Sequence, residues 1–204
     1  SKILSILHNS NEVDFLKDHS IEGCIITENT CFYGESGGQV GDTGTIKSKN
    51  GEFLVSDTKK TPQGIFIHFG KLISGSMKVS EDVDLSINEE RRSLIMKNHS
   101  ATHLLHAALR NTLGNHVAQR GSLVNSEKLR FDFSHNKQIS SEDINKIQDE
   151  VNSVIKTTSK SNIEIKSQED AIKAGAIALF GEKYGDEVRV VTLGSKNDNP
   201  YSIE

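Results

Sequence analysis

Tryptophan is absent from this chain, and aromatic residues make up only 5% of it. Cysteine is nearly absent too. Cys24 and Cys31 alone do not make a disulfide framework, so a reduced, cytoplasmic setting is expected. No run of 18 apolar residues occurs, which excludes a helical membrane span. Ser1–Leu7 is too short and too soon polar for a signal peptide. Several enzyme signatures are also missing. There is no GxSxG, which argues against a serine hydrolase with a nucleophile elbow. No GK[ST] follows the glycine-rich stretch and no helix pattern opens after it, so it is neither a P-loop nor a dinucleotide fingerprint. The net charge of −4 does not mark the whole chain as a nucleic-acid binder. The first residue is Ser rather than Met, which suggests a fragment or a processed chain.

What is present begins with Glu89–Gly114, EERRSLIMKNHSATHLLHAALRNTLG. Read as a helix, it sets His99, His103 and His106 at i, i+4 and i+7, within one narrow stripe. Leu94, Leu104, Leu105, Ala108 and Leu109 gather on the other side, and Gly114 is placed to cap the end. Histidines one turn apart can direct two imidazole nitrogens at one ion. The plain alternative is a polar helix face that is rich in histidine. The motif lacks the Glu of HExxH, so a zinc peptidase has no general base here. Between Arg91 and Arg130 stand seven basic residues and one acid, Glu127. Such a patch suits phosphates, or is an ordinary solvated face.

Residues 1–88 read as mostly strand. Gly23–Glu28, Thr43–Lys47, Glu52–Asp57, Gly64–Phe69 and Val83–Ile87 are short and β-branched or alternating, and polar or glycine clusters separate them. This spacing suggests a small barrel. Asn11–Asp18 carries a weak helical pattern, and Asn50-Gly51 is the signal for a type I′ hairpin. The loop Asn29–Gly44, NTCFYGESGGQVGDTG, is five-sixteenths glycine and offers Thr30, Glu35, Ser36, Gln39 and Asp42 as polar groups. It is either a binding cradle or a tight turn at a barrel rim.

From Glu89 onward helices and strands alternate, and the domain boundary is expected near Asn88. Gly121–Val124 and Leu129–Ser134 read as strands, the second strictly alternating. Ser140 and Asp143 have capping-box spacing ahead of a helix with Ile144, Ile147, Val151 and Val154 on one stripe, fading near Lys160. Ile163–Lys166 and Glu187–Leu193 read as strands, Glu169–Phe180 as a helix stopped by Gly181, and Gly194–Glu204 as loop. The order implies an α+β sandwich in residues 89–204 after the barrel-like lobe of residues 1–88.

Two stretches then read together. FYGESGGQVGDTG (Phe32–Gly44) and NHSATHLLHAALRNTLGNHVAQRGSLVNSEKLRFDFSH (Asn98–His135) closely resemble the editing domain of alanyl-tRNA synthetases, and GAIALFGEKYGDEVRVV (Gly175–Val191) continues the likeness. Freestanding AlaX-type editing proteins share the architecture, but their loop tends to read EGGGQ where this one reads ESGGQ. The resemblance implies a β-barrel-like lobe followed by a two-layer α/β lobe shared with threonyl-tRNA synthetase editing domains. It implies hydrolysis of Ser or Gly esters of tRNA(Ala), within a parent enzyme that uses ATP to attach alanine. An alanine pocket cannot strongly reject glycine or serine by binding alone, so a second site removes the errors.

The resemblance also implies roles for residues. His99 and His103 match two zinc ligands; the other two belong to a CxxxH segment, which would begin where this chain ends at Tyr201-Ser202-Ile203-Glu204. Cys24, Cys31, His116 and His135 are not expected to replace them, and His106 is expected to be structural or to support the ligands. Thr30 and Gln39 match loop positions that contact substrate, Thr30 sensing the serine hydroxyl and Gln39 holding water or the ester carbonyl. Gly37 and Gly38 would let the terminal adenosine approach closely. Apart from the resemblance, Glu35 in the substrate loop could act as a base, but an acid in a glycine turn more often holds backbone amides, and that structural role is the expected one. Arg91, Arg92 and Lys97 would meet the acceptor end of tRNA(Ala), with the rest of the synthetase chain as the other partner. A tRNA-binding module without chemistry is the alternative.

Overall fold

The structure is a computed structural model that describes residues 1–17, 22–157, 162–176, 186–196 and 199–203. The chain packs as two compact units, Ser1–Met96 with Leu123–Glu127, and Lys97–Ser122 with Lys128–Glu204. All strand pairing between named elements in the first unit and in the three-stranded sheet of the second is antiparallel, and the class is α+β.

The first unit contains β1 (Ile3–His8), β2 (Asn11–Val13), β3 (Phe15–Leu16), β4 (Glu22–Thr27), β5 (Gly44–Lys47), β6 (Gly51–Lys60), β7 (Phe66–Gly75), β8 (Met77–Lys78) and β9 (Asp84–Ile87). Seven of them form one sheet in the order β2-β1-β4-β7-β6-β5-β9, and β3 pairs with β8. Alternation, with a register shift in β1 between Ile3 and Ser5, sends Ile3, Ile6, Ile25, Phe53, Val55 and Leu72 into the core. Bulges between Glu52 and Phe53 and between Val55 and Asp57 bend β6 against β7. The expected barrel nevertheless does not close. β2 folds back onto the second half of β1 and occupies its outer edge, so among the described residues β1 meets the segment before β9 only through the Lys2–Asp82 bridge and its flanking backbone hydrogen bonds.

Two local expectations are corrected here. Asn11–Val13 and Phe15–Leu16 are strands rather than helix, while Asp18 lies outside the described residues. The β1–β2 turn is made by Asn9 and Ser10, both at positive φ, +49° and +64°. That is the double left-handed geometry of a type I′ hairpin. Asn50-Gly51 does turn the chain between β5 and β6, but neither residue has positive φ. There the Ser48 hydroxyl accepts from Asn50 N and Gly51 N, both at 3.1 Å, and holds a wider loop.

α1 (Glu89–Leu113) begins in the first unit. Asn88 Oδ1 accepts from Arg91 N at 2.9 Å, and Glu89 and Glu90 lie in the first turn, where carboxylates suit the helix dipole. Its apolar side differs from the expected one at one position: Ile95 is buried, and Leu94 is exposed. Gly114, at φ +114°, ends it by donating to Arg110 O at 2.9 Å.

The second unit holds the rest of α1, β10 (Gln119–Val124) up to Ser122, β11 (Leu129–Phe133), α2 (Ser141–Lys156), β12 (Asn162–Ser167), α3 (Gln168–Lys173), β13 (Glu187–Lys196) and β14 (Asn199–Ile203). β10 pairs with β11, and β12-β13-β14 form a separate sheet. α2 starts at the expected capping box, with Asp143 N donating to Ser140 Oγ at 3.1 Å. Its Ile147 and Val154 are buried, and Ile144 is exposed. Ala108, Leu109, Val117 and Ile147 make one core; Leu104, Val154 and Leu193 make another. α3 is shorter than the predicted helix, and residues 177–181 of that prediction lie outside the described residues. The tail is not a loop: β14 pairs with β13, and Pro200 sits at its exposed start.

Candidate functional site

The glycine-rich loop is built around two residues that only glycine serves well. Gly37 and Gly38 have φ of +57° and +83°, and Ser36 and Gln39 exchange backbone hydrogen bonds across them at 3.2 and 2.9 Å. This is a two-residue I′ turn. Within the same unit Val124 joins it: Val124 N donates to Gly38 O at 2.8 Å, and Val40 N donates to Val124 O at 3.1 Å. Gln39, bridged to both Ser36 and Val124, is only 7% exposed. The amides of Gly37 and Gly38 donate to nothing among the described residues.

Beyond the turn the loop presses on β6. At Gly41 a Cβ would lie 2.0 Å from Thr58 O, so glycine is required by close approach rather than by φ. Next to it Asp42 is 1% exposed. Its carboxylate accepts from Tyr33 N at 2.7 Å and from Arg92 Nε at 2.9 and 3.0 Å, and it pairs with Arg92 Nη2. Arg92 Nη2 also donates to Cys31 O at 3.3 Å, and Arg91 Nη1 donates to Gly41 O at 2.8 Å. The hydrogen bond to Asp42 raises the Arg92 pKa above its ordinary value. The start of α1 is thus fastened to the loop by two arginines. Glu35 lies at an exposed bridge to β6, where it pairs with Lys59, and this contact raises the Lys59 pKa.

Thr30 enters a different network. Its Oγ1 accepts from Phe32 N at 3.1 Å and stands 2.8 Å from His68 Nε2. His68 is fully buried on β7; its Nδ1 is 2.9 Å from Ile25 O and its ring meets the Phe32 ring edge-on at 5.1 Å. Burial pushes the His68 pKa below its ordinary value. Cys24 shows the opposite sign, its thiol pKa raised by burial.

On α1 in the second unit, His99 and His103 stack with ring centroids 4.9 Å apart and planes at 24°. Histidines one turn apart can in principle serve one ion; among the described residues no group of three or more His, Cys, Asp or Glu that could hold a metal is found. His106 shares the stripe in sequence but is 3% exposed and lies against Phe131 at 5.0 Å. His116 and His135 form a separate pair, Nε2 to Nδ1 at 2.9 Å. Lys97 is exposed.

Residues 1–91 match the family model described as tRNA synthetases class II (A). The alanine–tRNA ligase of Chelativorans sp. (strain BNC1) is 50% identical over 188 residues, covering 90% of this chain. Those of Mesorhizobium japonicum and Rhizobium johnstonii are 49% and 51% identical over 185 residues, each covering 88% of the chain. The chain belongs to the alanine–tRNA ligase family. It spans 21% of the length of each of these relatives.

The structure places the loop residues singled out in the sequence beside supports that no motif in the sequence marks. His68 is the main such neighbour. Its signal was present: in FIHFGKL, His68 shares the inward register with Gly70 and Leu72. The dependence of the loop on Val124 and of Asp42 on Arg92 left no mark in spacing, because each joins segments far apart in the chain.

Proposed function

We propose that this chain is the editing module of an alanine–tRNA ligase, hydrolysing the ester that joins serine or glycine to tRNA(Ala). The observation that carries the reading is the stacked His99–His103 pair on one helical turn, in a chain half identical to alanine–tRNA ligases over most of its length. In this reading residues 1–88 are the β lobe with the loop, and residues 89–204 are the two-layer editing lobe. The module works in the cytoplasm as part of the longer ligase.

Ester hydrolysis needs a held carbonyl, a placed water and a bound acceptor end. Gln39, with its backbone pinned to Ser36 and Val124, holds the water or the carbonyl by its carboxamide. The Gly37 and Gly38 amides offer N–H donors with no Cβ in the way, suited to the terminal adenosine or to a developing oxyanion. Glu35, paired with Lys59, keeps the turn on β6. Lys97 meets backbone phosphate with the part of the Arg91 and Arg92 forks that the loop leaves over. His99 and His103 would hold zinc as two of its ligands; bound zinc supplies Lewis acidity and a fixed point for the amino acid's polar groups.

The test is release of amino acid from Ser-, Gly- and Ala-tRNA(Ala). The expected result is release of serine and glycine well above alanine, slowed by Gln39→His. Binding of all three without release would replace the reading with a tRNA-binding module. Equal rates for wild type and Gln39→His would remove Gln39 from the chemistry.

A further inference from the structure

His68 has one neighbour whose chemistry is unambiguous. Ile25 O is a carbonyl and can only accept, so the Nδ1 facing it at 2.9 Å carries the hydrogen. Neutral imidazole carries one N–H, so Nε2 presents a lone pair. The ring is wholly buried between β4 and β6, where its register partners are Ile25 and Thr58, with the Phe32 ring against it. Desolvation keeps such a ring neutral. The group 2.8 Å from Nε2 is therefore a donor, and it is the Thr30 hydroxyl. The same oxygen already accepts from Phe32 N. The Thr30 hydroxyl has spent its only hydrogen and one of its two lone pairs on the protein. Thr30 is half-buried, so its second lone pair is what remains for a ligand.

We propose that His68 is a positioning residue that fixes Thr30 as a hydrogen-bond acceptor only, so that Thr30 selects an aminoacyl group carrying a hydroxyl donor. This rests on the editing reading above. A serine hydroxyl donates to the waiting lone pair; the alanine methyl leaves it unpaired. Glycine has no group there and is indifferent to it. The device therefore acts on serine selectivity rather than on hydrolysis as such.

The test compares serine and glycine release from tRNA(Ala) by this chain as wild type, His68→Asn, His68→Gln, Thr30→Val and Thr30→Ser, with thermal melting of each. Asn keeps a donor for Ile25 O but is too short for Thr30; Gln places an acceptor near the Nε2 position. The expected result is a serine-to-glycine ratio lowered about tenfold in His68→Asn and Thr30→Val, and largely retained in His68→Gln and Thr30→Ser. An unchanged ratio in His68→Asn, or equal loss of both activities, overturns the proposal. A second measurement stands apart from activity. The imidazole ¹⁵N spectrum of the wild type should show His68 as the Nδ1–H tautomer, with an Nε2 shift that moves in Thr30→Val. An Nε2–H tautomer overturns the proposal even if every variant folds poorly. If the wild type releases neither amino acid, the editing reading fails while the spectrum still decides what His68 does to Thr30.

Discussion

Replacing Arg92 by Leu should destabilise the chain more than any other single change at the start of α1. Asp42 is buried, and four of the hydrogen bonds its carboxylate receives come from two groups, Arg92 and Tyr33 N. Without the guanidinium, a buried carboxylate is left with one backbone donor. Removing one partner of a buried pair costs about 3–5 kcal/mol. The Arg92 side chain is 27% exposed, so water can fill part of the gap, and the low end, about 3 kcal/mol, applies. For a chain of this length each kcal/mol lowers Tm by roughly 2–4 °C, so the drop should be about 6–12 °C. Arg92→Lys keeps the charge but not the fork, and should lose roughly half as much. The double variant Arg92→Leu with Asp42→Asn should recover part of the loss, because a neutral amide needs no counter-charge. Melting curves and urea midpoints for the four proteins measure this. A change in Tm of less than about 2 °C for Arg92→Leu, or a double variant no better than the single one, would refute the assignment.

Stability should fall in mild acid because of His68. Its pKa is lowered in the folded chain, so above the ordinary value of 6.5 both states are neutral there and pH has no effect through it. Below 6.5 the unfolded chain takes up a proton that the folded chain refuses, costing up to about 1.4 kcal/mol per pH unit until the folded pKa is reached. Urea midpoints at two pH values, compared between wild type and His68→Gln, should show the larger decline in the wild type; equal declines would contradict it. Gly41→Ala drives a Cβ into the Thr58 carbonyl and should cost about 1–3 kcal/mol, read as a lowered urea midpoint with an unchanged slope. His99→Ala and His103→Ala should each lower zinc affinity measured by titration calorimetry; zinc uptake unaffected by both would place the ion elsewhere.

Local chemistry was legible in the sequence. The Ser140–Asp143 box, the Gly114 cap and the alternation of Leu129, Phe131 and Phe133 are each written within a few residues, and each appears in the structure. So do most strands of the first unit. What misled were patterns whose meaning depends on distant partners. Asn11–Leu16 has a faint helical period, but β1 and β8 supply edges that take it as strand. The polar tail becomes β14 because β13 offers it a ladder. Asn50-Gly51 has the composition of a tight hairpin, yet Ser48 captures its amides first, and the tight turn is made at Asn9-Ser10. The spacing of strands suggests a barrel but says nothing about whether the two edges meet, and here they do not pair as strands. At the candidate site, Thr30, Gln39 and the two glycines are visible as residue types in a motif, while the residues bonded to this loop, His68 and Val124, belong to strands with no motif of their own.

The bridge from Val124 to the Gly37–Gly38 turn has a consequence for timing. As the chain leaves the ribosome, β1 to β9 can pair from what has already emerged, since every one of these strands precedes α1 in the chain. The turn gains its last two backbone hydrogen bonds only from a residue made after the whole of α1. Closing so long a loop is slow relative to pairing adjacent hairpins. A nascent chain therefore passes through a stage in which the sheet is formed and the glycine turn is still loose, and the segment that seats it arrives together with the helix that carries His99 and His103.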